Sequence, residues 1–481
     1  DFHLPAGHET EMLCPNRLNT RGALNVSRVR LILNFFTSPD HIVIIVSLLL
    51  FAALSKYFYV PTSLYLYLVL VCFTMPSLFA ISCWKICRRA HNFKARMALA
   101  QRDRTRLAIT GIATLFVVVS VFLGIINPVK TPERWRTPGN STYYIASLLH
   151  NSEAIMPVYM SSLLTLTDEL GHNNVFISIY ENDSNDKTPV MLQRLDEELA
   201  RRGVRRRIMS TKQSESTQQL ERIERLSVYR NFAMAPINDA VPEGLDGRPF
   251  DKVIWINDVV FEPNTVHELL DSEGGEFDQA CAMDFCWLGF YDTWVMRDAD
   301  GKTTRPFWPY FKSRRDRTAV ADGFPVPVNS CWNGITAFDA RWFVRKNNYS
   351  TPYITAASTL QAPMKRDDVQ ELPATLPLTF RKSDKCYASE SLLCSLDMHR
   401  LARPFRPRIF VNPNVVVTYD KPNYYLYHDV MKWHVTGPWR YVWLDWVESR
   451  LLDSFSNYLG RVDKCTDVFM PMWVPRSPLW H

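Results

Sequence analysis

An acid and an amide interrupt what otherwise reads as a buried strand. In "DKVIWINDVVFEP" (251–263) the apolar run from Val253 to Ile256 stops at Asn257-Asp258 and resumes with Val259, Val260 and Phe261. A carboxylate at the end of a buried strand is costly unless it is paired or bound to a metal. One carboxylate beside an amide, backed by Asp284 and Asp292, has the oxygen chemistry of a hard-cation site. Such a site takes Mg2+ or Mn2+ through few protein ligands and leaves positions for phosphate oxygens. The same dipeptide equally suits a turn, or a cap of the helix that follows Pro263.

Other segments add chemistry. "CWLGFYDTWVMRDADGK" (286–302) combines aromatic rings with Asp292, Arg297, Asp298 and Asp300, a mixture suited to stacking on a sugar and gripping its hydroxyls. Its Asp-Ala-Asp-Gly part also reads as an ordinary turn. "NSCWNGITAFDARWF" (329–343) sets Trp332, Asn333 and Gly334 before an apolar strand, where a glycine lets backbone approach a ligand. In "CYASESLLCSLDMHR" (386–400) Glu390 opens a helix, a place that suits catalysis or simple helix-dipole stabilisation. His428 and His434 could each offer an imidazole to a metal, although a lone histidine is more often structural. Arg222, Arg225 and Arg230 could grip phosphate oxygens, but they fall on a helix whose surface arginines would ordinarily be solvated.

The elements that must position these groups alternate. Strands are expected at "YYIASLLHN", "NVFISIYEN", "VRRRIMS", "VIWI" and "QACAMDF", and helices at "AIMPVYMSSLLTLTDELG", "PVMLQRLDEELARRG", "STQQLERIERLSVYRNFAMAPI" and "NTVHELLDS". Alternation of this kind predicts a mostly parallel sheet covered on both faces. In such sheets ligands collect beyond the carboxyl ends of the strands. That places Glu181, Asn182 and Asp183, then Asn257-Asp258, then Asp284, along one crevice.

Upstream the chain changes character. His41–Ser55, Tyr57–Trp84 and Leu107–Val129 are apolar stretches, the last without a charge and long enough to cross a bilayer. The first begins too late, and lacks the small-residue cleavage site, for a signal peptide. Lys85 to Arg106 carries eight Lys/Arg against a single Asp, which supplies much of the formal net charge of +6. A basic run between apolar segments is explained by membrane topology, not by nucleic acid. With Arg17, Arg21, Arg28 and Arg30 before the first span, positive-inside bias puts the N-terminus and the basic loop in the cytosol. Three crossings leave everything after about Val129 lumenal. Six of the ten cysteines (Cys281, Cys286, Cys331, Cys386, Cys394, Cys465) fall in that part, enough for three bridges in any of fifteen pairings. Sequons at Asn140, Asn182 and Asn348 lie on the same side.

Several ordered blocks carry a resemblance: "LLHNSEAIMPVYMSSLLTL", "NVFISIYENDSNDKT", "RIERLSVYRNFAMAPI", "VIWINDVVFEP", "ACAMDFCWLGFYDTWVMRDADG", "VNSCWNGITAFDA" and "CYASESLLCSLDMHR". Over roughly residues 141–420 the chain resembles the fungal capsule-associated α-1,3-mannosyltransferases. The resemblance implies an α/β fold with a GT-A-like, Rossmann-type sheet in a lumenal domain behind an α-helical membrane anchor. It also implies a Golgi enzyme using a nucleotide sugar, GDP-mannose, with a divalent cation such as Mn2+, to form an α-1,3 link to a glycan acceptor. The expected arrangement is a cytosolic tail (1–40), a membrane region with about three helices (41–129), a stem (130–142), the catalytic domain (143–420) and an aromatic-rich extension packed on it (421–481). Asp292 and Glu390 are the expected catalytic carboxylates. Asp258 and His434 are the expected metal ligands. Donor contacts are expected from Glu181, Asn182, Arg230, Asn257, Asp284, Arg297, Trp332 and Gly334. Two rivals of other classes remain: a lumenal glycosidase, which would not need a cation-type strand end, and a non-catalytic scaffold of polysaccharide assembly, for which Asp258 would be dispensable.

Overall fold

The computed structural model describes residues 38–57, 62–89, 101–126, 140–212, 219–286, 289–345, 376–384, 387–403 and 405–448. The arginines before residue 38, the middle of the basic loop, most of the stem, Cys14, Cys386, Cys465, the Asn348 sequon and residues 449–481 of the aromatic tail lie outside the described residues. The chain divides into two compact units, one holding residues 1–57 and 65–119, the other 58–64 and 120–481.

The first unit is helical. Two helices, Ser63–Arg88 and Arg104–Leu123, are long and apolar enough to cross a membrane, and a shorter apolar helix covers Pro39–Ser55. Asp40 is the anchor of their polar end: Lys85 donates to one of its oxygens at 2.7 Å and Arg106 to the other at 2.8 Å.

The second unit is built on a ten-stranded mixed sheet. β1 (Tyr143–Leu149), β2 (Val175–Asn182), β3 (Arg205–Thr211) and β4 (Lys252–Ile256) form its parallel half, in the order β3-β2-β1-β4. The order continues through β9 (Ile335–Asp339), β5 (Gln279–Cys286), β10 (Ile409–Thr418), β8 (Val326–Ser330) and β7 (Arg297–Asp298), with β6 (Gly289–Phe290) on β5. β9 runs antiparallel to both its neighbours, whereas β5 and β10 are parallel. All five expected strands form. The sheet's exposed edge is β3, where Arg205, Arg206 and Arg207 blunt pairing with another chain.

Layers on both faces explain the apolar runs. Alternate strand residues point to opposite sides, so Ile254 and Ile256 join one core and Val253 and Trp255 the other. The first core is closed by α1 (Met156–Leu170), α2 (Thr188–Arg201) and α4 (Pro263–Leu270), through Leu163, Leu166, Leu192, Leu195, Leu199 and Leu269. The second is closed by α3 (Arg222–Met234) and α6 (Glu390–Ala402), through Tyr229, Ala233, Leu392, Leu393 and Leu396, with α5 (Arg314–Asp322) between α4 and α6 in the chain. Pro157 and Pro189 sit in the first turns of α1 and α2, where a missing N–H costs nothing. Gly171, at φ +89°, stops α1.

Candidate functional site

β4 ends where the puzzle in its sequence begins. The Asn257 N–H donates to the Gly334 carbonyl at 2.9 Å, and the Val259 N–H turns back to the Asn257 carbonyl at 2.8 Å. The chain then runs on as a second buried stretch, with Val260 paired to Thr418 at the end of β10. Asn257-Asp258 is thus a tight turn between two buried segments, and it opens on a cavity of about 750 Å3. Leu148 and His150 from the end of β1, Asn182 from β2, Asp284 from β5 and Tyr419 after β10 reach the same cavity. The strand-end rule therefore holds for every parallel strand except the edge strand β3.

Three aspartates line this space, each with its pKa raised. Burial pushes the Asp258 carboxyl up to about 6. Asp284 accepts the Tyr419 hydroxyl at 2.8 Å and the Asp292 N–H at 3.3 Å, yet burial and the neighbouring Asp292 charge hold it well above the usual carboxylate range. Asp292 accepts the Asn333 N–H at 3.1 Å, and burial raises it to about 6. Asn333 itself has φ +56° and donates its side-chain amide to the Ala282 carbonyl at 2.8 Å. A disulfide between Cys281 and Cys331 ties β5 to this segment.

A basic wall faces the acids: Arg222, Arg225 and Arg230 of α3. Arg230 is 7% exposed, donates Nε to Glu390 at 2.8 Å and lies 4.2 Å over the Trp332 ring. Its Nη1 and the Trp332 Nε1 have no hydrogen-bond partner among the described residues. Glu390 stands in the first turn of α6, where the Ser389 and Ser391 hydroxyls donate to it at 3.2 and 3.4 Å. Helix dipole and ion pair together account for a buried carboxylate there.

Of the twelve residues expected as catalytic, donor or metal contacts, Asn182, Arg230, Asn257, Asp258, Asp284, Asp292, Trp332, Gly334 and Glu390 line the cavity. Three do not. Arg297 is fully buried and donates Nη1 to the Trp294 and Met296 carbonyls at 2.8 Å, clamping the loop behind Asp292. Glu181 is buried beneath the strand end, accepting from the Ser184 N–H at 2.7 Å and from the Ser210 hydroxyl. His434 is exposed in a short 3-10 turn, His434–Thr436, and is not among the lining residues. His428 stacks on Tyr424 and pairs with Asp429. Gly334 has φ +77°, and a Cβ there would come within 2.8 Å of Val417 and 3.2 Å of Asp284, so backbone conformation and packing require glycine. His150, Tyr229, Trp294, Ser389, Ser391 and Tyr419 were not foreseen. Tyr419 had a signal: it stands two residues after the apolar run Val415–Val417, just past the end of β10 at Thr418.

Among the described residues no three His, Cys, Asp or Glu gather as a metal-holding cluster. The donor set nonetheless fits a hard divalent cation completed by its ligand. Asp258 gives one carboxylate, Asn257 an amide oxygen, and a cation beside the buried Asp258 would favour its charged form.

The family described as cryptococcal mannosyltransferase 1 matches residues 142–397. The α-1,3-mannosyltransferase CMT1 of Cryptococcus neoformans is 23% identical over 313 residues, which is 61% of this chain and 60% of that protein. The chain therefore aligns with less than two thirds of that relative. Among solved structures, S. aureus TarS residues 1–349 aligns at 12% identity over 66% of this chain and 71% of its own, with a TM-score of 0.30. The mannosyltransferase PcManGT of Pyrobaculum calidifontis, solved with GDP-Man and Mn2+, aligns at 12% identity over 73% and 88%, with a TM-score of 0.28.

Proposed function

Because the chain belongs to the cryptococcal mannosyltransferase 1 family, we propose that it is a membrane-anchored glycosyltransferase. It moves a mannosyl residue from GDP-mannose to a glycan acceptor in α-1,3 linkage, with Mn2+ as cofactor and its catalytic unit in the Golgi lumen. The observation that carries this reading is the cavity itself. Carboxylates at the ends of β4 and β5 face arginines of α3 across about 750 Å3, a size suited to a nucleotide sugar.

Cleaving a sugar–phosphate bond builds negative charge on the diphosphate and positive charge on the sugar. A divalent cation held by Asp258, with Asn257 beside it, would supply Lewis-acid neutralisation of the diphosphate. Arg222 and Arg225, at the mouth, bind further phosphate oxygens. Asp292, fixed by the Asn333 N–H, faces the sugar and stabilises its oxocarbenium character. Glu390 is already balanced by Arg230, so it positions that arginine and the Trp332 ring. An α-linked donor giving an α-linked product retains configuration.

The lumenal placement is supported by the disulfide Cys281–Cys331, which belongs in an oxidising compartment; the two long apolar helices upstream support the membrane anchor. The test is turnover of a panel of nucleotide sugars by the full chain in detergent, with Mn2+ and with EDTA. Chelator-sensitive release of GDP from GDP-mannose is expected. Turnover of no nucleotide sugar, or turnover indifferent to EDTA, overturns the reading.

A further inference from the structure

The mouth of the cavity carries aromatic rings that core packing does not account for. Tyr387 is 72% exposed and Tyr291 56% exposed, although such rings gain free energy by leaving water. Tyr387 stacks on Trp294 with centroids 5.5 Å apart and planes 28° from parallel. Tyr291 meets Tyr419 edge-on at 5.1 Å, and Tyr419 is in turn bonded to Asp284 at 2.8 Å. Trp294, Tyr291 and Tyr419 line the cavity. The platform is therefore built onto the carboxylate cluster. Trp294 follows Asp292 by two positions, and Tyr387 precedes Glu390 by three.

A pyranose has a face of C–H groups and a rim of hydroxyls. An exposed ring face takes the first, and carboxylates and amides nearby take the second. These rings are carried by the segments bearing Asp292 and Glu390, whereas His150, Asn182 and Asn257 come from the ends of β1, β2 and β4. The two sides of the cavity thus differ in chemistry. We propose that Tyr291 and the Trp294–Tyr387 pair form the subsite for a pyranose ring of the acceptor, presenting its hydroxyl towards Asp292. This rests on the transferase reading above and names which wall serves the acceptor.

The experiment is acceptor kinetics on the full chain in detergent with GDP-mannose and Mn2+, using methyl α-D-mannopyranoside and an α-linked mannobiose as probes. Tyr387→Ala raises the KM for the probe sugar about tenfold and moves the KM for GDP-mannose by less than about twofold. Tyr387→Phe, which keeps the stacked ring, restores the wild-type acceptor KM. An unchanged acceptor KM in Tyr387→Ala, or transfer to neither probe by a wild-type protein that hydrolyses GDP-mannose, overturns the subsite while leaving the transferase standing. Absence of any GDP-mannose turnover removes both.

Discussion

Arg230 and Glu390 are 160 residues apart in the chain, yet they form a buried pair in which Nε donates to the carboxylate at 2.8 Å and the guanidinium lies against Trp332. The pair joins α3 to α6 across one face of the sheet. Removing one partner strands the other charge in a site closed by Trp255, Trp332 and Phe380. Arg230→Met should therefore cost about 3–5 kcal/mol in urea unfolding. The double variant Arg230→Met/Glu390→Leu should recover most of that loss. A single variant as stable as wild type would contradict the account.

Asp258→Asn should lower turnover at least about a hundredfold while making the protein more stable. The sign follows from burial. Burial lifts the Asp258 carboxyl to about 6 in the folded chain, against about 3.9 for a solvated aspartate, so its ionised form is penalised in the folded state above pH 6. The variant should gain about 1–3 kcal/mol at pH 7, a gain that fades as pH falls from 6 towards 4. Thermal unfolding of both proteins across that range reads the effect, and a variant less stable than wild type at pH 7 would refute it.

Asp292 must be ionised to stabilise positive charge on the sugar, and burial raises its carboxyl to about 6. Activity should fall as pH drops through 6, with Asp284, its buried neighbour, also held well above the usual carboxylate range by burial and by the Asp292 charge. The residual activity of Asp292→Asn should lack this acid limb. A pH–rate profile flat down to pH 5 in wild type would remove Asp292 from the role.

Gly334→Ala should lose both stability and activity. Its φ of +77° disfavours any side chain, and the new methyl would press on Val417, Val259 and Asp284. A loss of about 1–3 kcal/mol, together with a lower kcat, is expected. Circular dichroism melts and kinetics on the same preparation separate the two effects.

The Cys281–Cys331 bridge closes a loop of sequence separation 50. Cys281→Ser/Cys331→Ser should lose about 4 kcal/mol. Wild type treated with reductant before unfolding should approach the variant, and equal midpoints with and without the bridge would count against its role.

Much of this is legible in the sequence. Near-continuous apolar strands and 3.6-period helices give the sheet's parallel half, because both of its faces are buried and the pattern is strong from Tyr143 to Ile256. The strand-end rule puts Asn182, Asn257, Asp258 and Asp284 along one crevice, and all four line the cavity. It misassigns Glu181, whose carboxylate turns back onto the Ser184 N–H, because side-chain direction is decided by the loop that follows. Arg297 and His434 failed for a related reason. Residue type reveals chemistry, but only tertiary packing decides whether a guanidinium clamps carbonyls or an imidazole faces the cavity. β10 was illegible as a neighbour of β5, since insertion of a late strand into the middle of a sheet leaves no local signal.

That late strand has a consequence for synthesis. β10 lies between β5 and β8, but it begins about 120 residues after β5 ends. At roughly 5–20 residues per second on the ribosome, β5 waits on the order of ten seconds for that partner. During that interval backbone groups of the nascent sheet are open to wrong partners, so chaperones have a defined window in which to act. A premature stop anywhere upstream of Ile409 leaves that edge permanently open and omits Tyr419, the hydroxyl partner of Asp284. Truncation alleles of this kind should behave as aggregation-prone products cleared by quality control, not as weakened enzymes.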